Sequence, residues 1–159
     1  MKITGKLWEE GPRKISILID GCARGNPGHA GCGVLVKDSA ERVLLKKGRY
    51  VGKTTNNVAE YMALIDGLCE AVDMGAQEVT VRTDSELIVK QMTGAYRVKD
   101  VKLKELYAEA QRLSRSFSRS ELVHVKRANN QDADSLANEA VDSYLKAGVE
   151  NKLAAPGES

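Results

Sequence analysis

The sequence predicts a single α/β domain, and three observations carry that expectation. Residues 15–19 and 31–36 are two apolar runs separated by a segment rich in Gly, Asn and Pro, the pattern of a β-hairpin. A third strand-like run, 42–51, follows after a short turn, so the first three strands form an antiparallel meander. Beyond it, a helical period gives way to the alternating, β-rich Glu78–Thr83. A strand–helix–strand order of this kind places the fourth strand parallel to the first.

Composition bounds the rest. A chain of 159 residues, 42% hydrophobic and 29% charged, can bury one sizeable core. The net charge of +2 is too small to argue for nucleic-acid binding, so any basic patch is local. Cys22, Cys32 and Cys69 include no CxxC pair, and only two His are present, which argues against a zinc site. Reduced thiols are expected, with a Cys22–Cys32 bridge across the hairpin as the minor alternative. No apolar stretch is long enough to span a membrane, and no signal-peptide core follows the basic N-terminus. A cytoplasmic monomer without membrane contact is the expectation.

Taken in order, residues 1–13 read as an N-terminal tail, 14–146 as the domain and 147–159, where periodicity is lost, as a mobile C-terminal tail. Asp20 closes the first apolar run, where a buried charge demands a metal ion, a basic partner or an exposed edge. Residues 21–28 read as the turn and 38–41 as the next one. Thr55 and Asn56 suit a helix start, and Val58, Met62, Ile65, Cys69 and Val72, with Tyr61, Leu64 and Leu68 widening the face, mark the expected buried stripe up to Gly75. Glu60 in its first turns is either a dipole-favoured acid or a ligand directed back at the sheet. Asp84 follows the fourth strand, either as an N-cap or as a second strand-end carboxylate beside Asp20. Residues 94–100 link to a helix over 101–117, and Lys99, Lys102 and Lys104 around its start read as a solvated basic face or as phosphate contacts. Residues 121–125 form the fifth strand, in which His124 is an ordinary strand residue. Asp132 is the expected N-cap of the last helix, and Asp134 lies in its first turn.

Four strings in this order, IDGCARGNPG, TTNNVAEYMAL, VRTDSELIVKQM and VKRANNQDADSLANEA, cover most of residues 15–146. The chain thereby resembles ribonuclease H type 1, in the form that lacks a basic protrusion. The resemblance implies a five-stranded mixed sheet of order 3-2-1-4-5 flanked by helices. It implies that Asp20, Glu60, Asp84 and Asp134 hold two Mg²⁺ ions, with Mn²⁺ as a substitute, and hydrolyse the RNA strand of RNA–DNA hybrids. Hard oxygen ligands suit Mg²⁺, and two dications about 4 Å apart can activate water and stabilise both the transition state and the leaving oxygen. Without metal, such clustered carboxylates repel and at least one pKa rises. By position, Gly25, Asn26, Asn56 and Asn57 match residues that approach the substrate, where the 2′-hydroxyl distinguishes RNA from DNA. Thr55 and Thr83 match a DNA-phosphate pocket, and Asn130 is a further substrate-binding candidate.

Three departures stand out. Arg127 occupies the place nearest the family's loop histidine; it can bind a phosphate but cannot serve as an ordinary acid or base. Residues 94–100 replace the basic protrusion, which implies weaker and more salt-sensitive binding. Glu86 stands where the family often has Gln. Two other readings remain open: a catalytically impaired nucleic-acid-binding module, and a nuclease of the same fold that prefers duplex RNA.

Overall fold

A computed structural model describes residues 12–153. Three antiparallel strands open the chain: β1 (Lys14–Gly25), β2 (Gly28–Asp38) and β3 (Val43–Thr54). Helix α1 (Asn56–Asp73) leads into β4 (Glu78–Thr83), which pairs parallel with β1. Helices α2 (Glu86–Met92) and α3 (Val101–Ser114) precede β5 (Arg119–His124), parallel to β4. A 3₁₀ turn (Arg127–Asn129) introduces α4 (Gln131–Leu153). The sheet order is β3-β2-β1-β4-β5, as the family resemblance implies.

The core lies between the sheet and α1–α3. Ile15, Ile17 and Ile19 of β1 alternate inward to meet Val34, Val36, Val79 and Val81 from neighbouring strands and Tyr61, Leu64 and Leu68 from α1. Each such side chain contributes about 1.5–3 kcal/mol by leaving water. The one buried hydroxyl among them is satisfied, because Tyr61 Oη donates to Gln91 Oε1 at 2.7 Å. Among the described residues no helix is long and apolar enough to cross a membrane.

Several local expectations change. Residues 21–25 belong to β1, and the turn shrinks to Asn26–Pro27 between Gly25 (φ 96°) and Gly28. Gly21 is required for close approach, not for turning: a Cβ there would overlap the α1 backbone at Ala59 and Glu60. The buried face of α1 centres on the residues that widen the expected stripe: Tyr61, Leu64 and Leu68 are buried with Val58 and Ala71, while Met62, Ile65 and Cys69 are partly buried and Val72 is 43% exposed. Packing against two layers, sheet and α3, selects that face. Register pairs Cys32 with Gly21, so Cys22 and Cys32 point to opposite faces and cannot bridge; all three cysteines are free. Helix α4 continues to Leu153, so 147–153 are helical and not a tail, while 154–159 and 1–11 lie outside the described residues. Asp132 sits within the first turn of α4 and is not its N-cap.

Candidate active site

Pairing between β1 and β4 stops at Leu18–Arg82, two residues short of Asp20 and Asp84. Both carboxylates therefore emerge side by side where two parallel strands end, the usual place for a site in such a sheet. Asp20 is not at the end of its own strand, because β1 continues in its pairing with β2, Asp20 lying opposite Gly33. Asp84 is not an N-cap. Ser85 caps α2 by accepting from Ile88 N at 3.2 Å, which leaves the Asp84 carboxylate free.

Thr55 Oγ1 starts α1 by accepting from Val58 N at 3.3 Å, and the helix then turns Glu60 back toward the sheet. Glu60 Oε1 accepts from Gly21 N at 3.0 Å, a bond made possible by the close approach at that glycine. Glu60 Oε2 is buried and has no hydrogen-bond partner. Oxygens of Asp20, Glu60 and Asp84 lie within 4.8 Å of one another. Asp134, from the first turn of α4, reaches Asp20 but stands outside that tight triple. With Cys22, Asn56, Asn57, Ser85 and Arg127, the four carboxylates line one cleft of about 500 Å³.

Three negative groups this close, and largely buried, cannot all be ionised on their own. Burial pushes Asp20 up to about 10, helped by the charge of Glu60, the contact with Asp134 and the charge of Asp84. Burial also pushes Glu60 up to about 7, against the opposing hydrogen bond from Gly21. An all-oxygen donor set and an unpartnered buried oxygen together fit a divalent cation. Among the described residues the one cation paired with these carboxylates is Arg127, its Nε 3.7 Å from Asp84 Oδ2, on a side chain that is 91% exposed.

The predicted substrate residues divide into two sets. Asn56 and Asn57, at the start of α1, line the cleft, and Asn26, on the hairpin turn, touches Asn56 from outside it. Asn56 Oδ1 accepts from Ala23 N at 2.9 Å, and Asn26 Oδ1 accepts from Asn56 N at 3.0 Å. Each amide uses its oxygen to join hairpin to helix, and its NH₂ is the donor left over. Thr83 and Asn130 are a correction: both are fully buried and neither can touch a nucleic-acid strand. Thr83 Oγ1 accepts from Ser85 N, and Asn130 Nδ2 donates to Ile19 O at 2.9 Å, bracing the residue before Asp20. His124 is exposed at the end of β5. Sequence reading missed Arg24 and Asn138, which contact each other, Asn138 in turn contacting Asp134. The four-residue spacing of Asp134 and Asn138 on a helix was the available signal for the second.

A family model described as "Reverse transcriptase-like" matches residues 18–140. A bifunctional protein of Mycobacterium tuberculosis is 46% identical over 131 residues, covering 82% of this chain but only 36% of that protein. The chain thus spans about a third of the length of that relative. Ribonuclease HI of Halobacterium salinarum is 38% identical over 140 residues, covering 88% of this chain and 70% of that protein. The crystal structure of LC11-RNase H1 in complex with RNA/DNA hybrid superposes with a TM-score of 0.79 at 46% identity, covering 82% of this chain and 99% of that one. Strand order, the four carboxylates and these similarities converge: the chain belongs to the ribonuclease H type 1 family.

Proposed function

We propose that this protein is a metal-dependent endoribonuclease that hydrolyses the RNA strand of RNA–DNA hybrids. The observation that carries this reading is the convergence of Asp20, Glu60, Asp84 and Asp134 on one cleft, with Glu60 Oε2 left unpartnered. These carboxylates would hold two Mg²⁺ ions, or Mn²⁺ in their place. Bound there, the ions supply charge stabilisation for the phosphodiester and a lowered pKa for the attacking water. The complex of LC11-RNase H1 with RNA/DNA hybrid supports the hybrid as substrate class.

The chain's own residues do the remaining work. Asp20, Glu60 and Asp84 set a preformed floor of carboxylate oxygens, because the end of β1–β4 pairing and a glycine contact position them before any ligand arrives. Asn56 and Asn57 at the rim, with Asn26 and the close backbone at Gly25, face the strand that carries 2′-hydroxyls. Thr55, half-buried at the start of α1, lies toward the DNA strand. Arg127, exposed beside Asp84, binds the scissile or product phosphate as a permanent cation and moves no proton. All four carboxylates come from one chain, so a monomer suffices.

Cleavage of a labelled hybrid in Mg²⁺, in Mn²⁺ and in EDTA, beside the Asp20→Asn variant, tests the reading. Metal-dependent cutting of the RNA strand alone, lost in the variant, is expected. Retained hybrid binding without cutting in either metal would leave a binding module, and faster cutting of duplex RNA would move the substrate assignment.

A further inference from the structure

Asp134 differs from its three partners in how it is held. Asp20 and Glu60 are buried, and Glu60 is clamped by a backbone N–H, whereas Asp134 stands exposed on the first turn of α4. Among the described residues, the one N–H that reaches its carboxylate belongs to Asn138. Asn138 Nδ2 donates to Asp134 Oδ1 at 3.3 Å and to its backbone oxygen at 3.0 Å.

Asn138 is itself held from the hairpin. Arg24, near the tip of β1, places Nη2 3.1 Å from Asn138 Oδ1 and 3.2 Å from Asn138 O. Its Nη1 pairs with Asp142 Oδ1 at 2.6 Å, one turn further along α4. The direction of the Asn138 amide follows from chemistry. A guanidinium offers only donors and an ionised carboxylate only acceptors, so the oxygen must face Arg24 and the NH₂ must face Asp134. The result is a one-way relay from hairpin to carboxylate that spans 114 residues of sequence between Arg24 and Asn138.

We propose that Arg24 and Asn138 are positioning residues: together they fix the Asp134 side chain so that it faces Asp20, and with it the affinity of the site for divalent cation. This rests on the reading of Asp134 as a cation ligand given above. A partner that orients a ligand in this way changes metal affinity or turnover by about 10–100-fold when removed. Arg24 acts through Asn138, not through the substrate.

The test uses Asn138→Ala, Arg24→Met and the double variant, with two readouts. Mn²⁺ binding to the free enzyme, followed by the electron paramagnetic resonance of unbound Mn²⁺, should weaken about tenfold in Asn138→Ala. For the same variant kcat on the hybrid should fall about tenfold or more while KM stays within about twofold. Alanine is the better helix former, so the melting temperature without metal should hold or rise. Arg24→Met should show the same pattern at smaller size, and the double variant should lose no more than Asn138→Ala, as expected of groups acting in series. Wild-type Mn²⁺ binding and kcat in Asn138→Ala would overturn the relay. A KM rise on Arg24→Met that persists in the Asn138→Ala background would overturn it too, by showing direct contact with substrate. Should the wild-type chain cut no hybrid in either metal, the proposed function fails, and the Mn²⁺ titration alone still decides the relay.

Discussion

Two helices reach the same end of the sheet by opposite means. Helix α1 is seated by side chains: Tyr61, Leu64 and Leu68 enter the core with Ile17, Ile19 and Val34. Helix α4 is seated on the other face by backbone. A Cβ on Gly31 or Gly33 of β2 would overlap the carbonyls of Ala137 or Ala133, and one on Gly48 of β3 would overlap that of Leu136. Buried Ala133 and Ala137 allow that close approach, and Val141 and the stacking of Tyr144 on Tyr50 add side-chain contacts further along the helix. Glu60 thus arrives on a helix locked by interdigitated volume. Asp134 arrives on the exposed side of a first turn whose other side is buried at Ala133, and its carboxylate depends on polar partners. The tight triple of Asp20, Glu60 and Asp84 is a property of the scaffold, and Asp134 is the adjustable member.

That contrast can be broken most sharply at the carboxylates. Asp84→Asn should lower hybrid cleavage by about 10³-fold or more, several kcal/mol of transition-state stabilisation, with hybrid binding in a gel-shift assay retained. Asp134→Asn, outside the triple, should cost less, about 10–100-fold, and recover in part at high metal concentration. Equal losses in the two variants would erase the distinction.

Stability reads the two faces next. Leu64→Ala removes volume from the side-chain-packed face and should cost about 2–5 kcal/mol in urea unfolding. Gly33→Ala instead forces α4 off the sheet and should cost about 1–3 kcal/mol, less in stability. Its effect on cleavage should nevertheless exceed that of Leu64→Ala under conditions where both variants are folded, because the displaced helix carries Asp134.

The smallest expected effect concerns pH. Glu60 is raised from 4.5 to about 7 and Asp20 from 3.8 to about 10, so the folded metal-free protein holds protons that the unfolded chain releases. Their contribution is therefore fully favourable below about pH 4 and is lost as pH rises through 7 toward 10. In EDTA the melting temperature should fall over that window, and saturating Mg²⁺ should flatten the fall. At pH 8 in EDTA, Asp20→Asn should raise the melting temperature by about 2–4 °C, equivalent to about 1 kcal/mol. A lowered value would mean that the ionised aspartate is a stabilising group in the metal-free fold.

Local chemistry makes much of this molecule readable from its sequence. Alternation in Glu78–Thr83, the Thr55 cap and Gly75 bound their elements because strand pleat, helix capping and positive φ are settled within a few residues. The four carboxylates are legible through the motifs that carry them, although only the motifs of Glu60 and Asp84 include the cap beside the acid, at Thr55 and Ser85. What lies outside local reach is decided by packing between distant segments. Gly21 reads as a turn residue and is a contact with α1, 38 or 39 residues away, which only the assembled layers demand. Asn130 reads as a surface amide and is a fully buried brace to Ile19, 111 residues away. The layer above α1 decides that Tyr61, Leu64 and Leu68 form the centre of its buried face and leaves Val72 outside it, and Arg24 meets Asn138 only because the hairpin and the last helix come together in the fold. Periodicity reports how a segment divides its own residues; which neighbour each one meets is a free-energy decision of the whole fold.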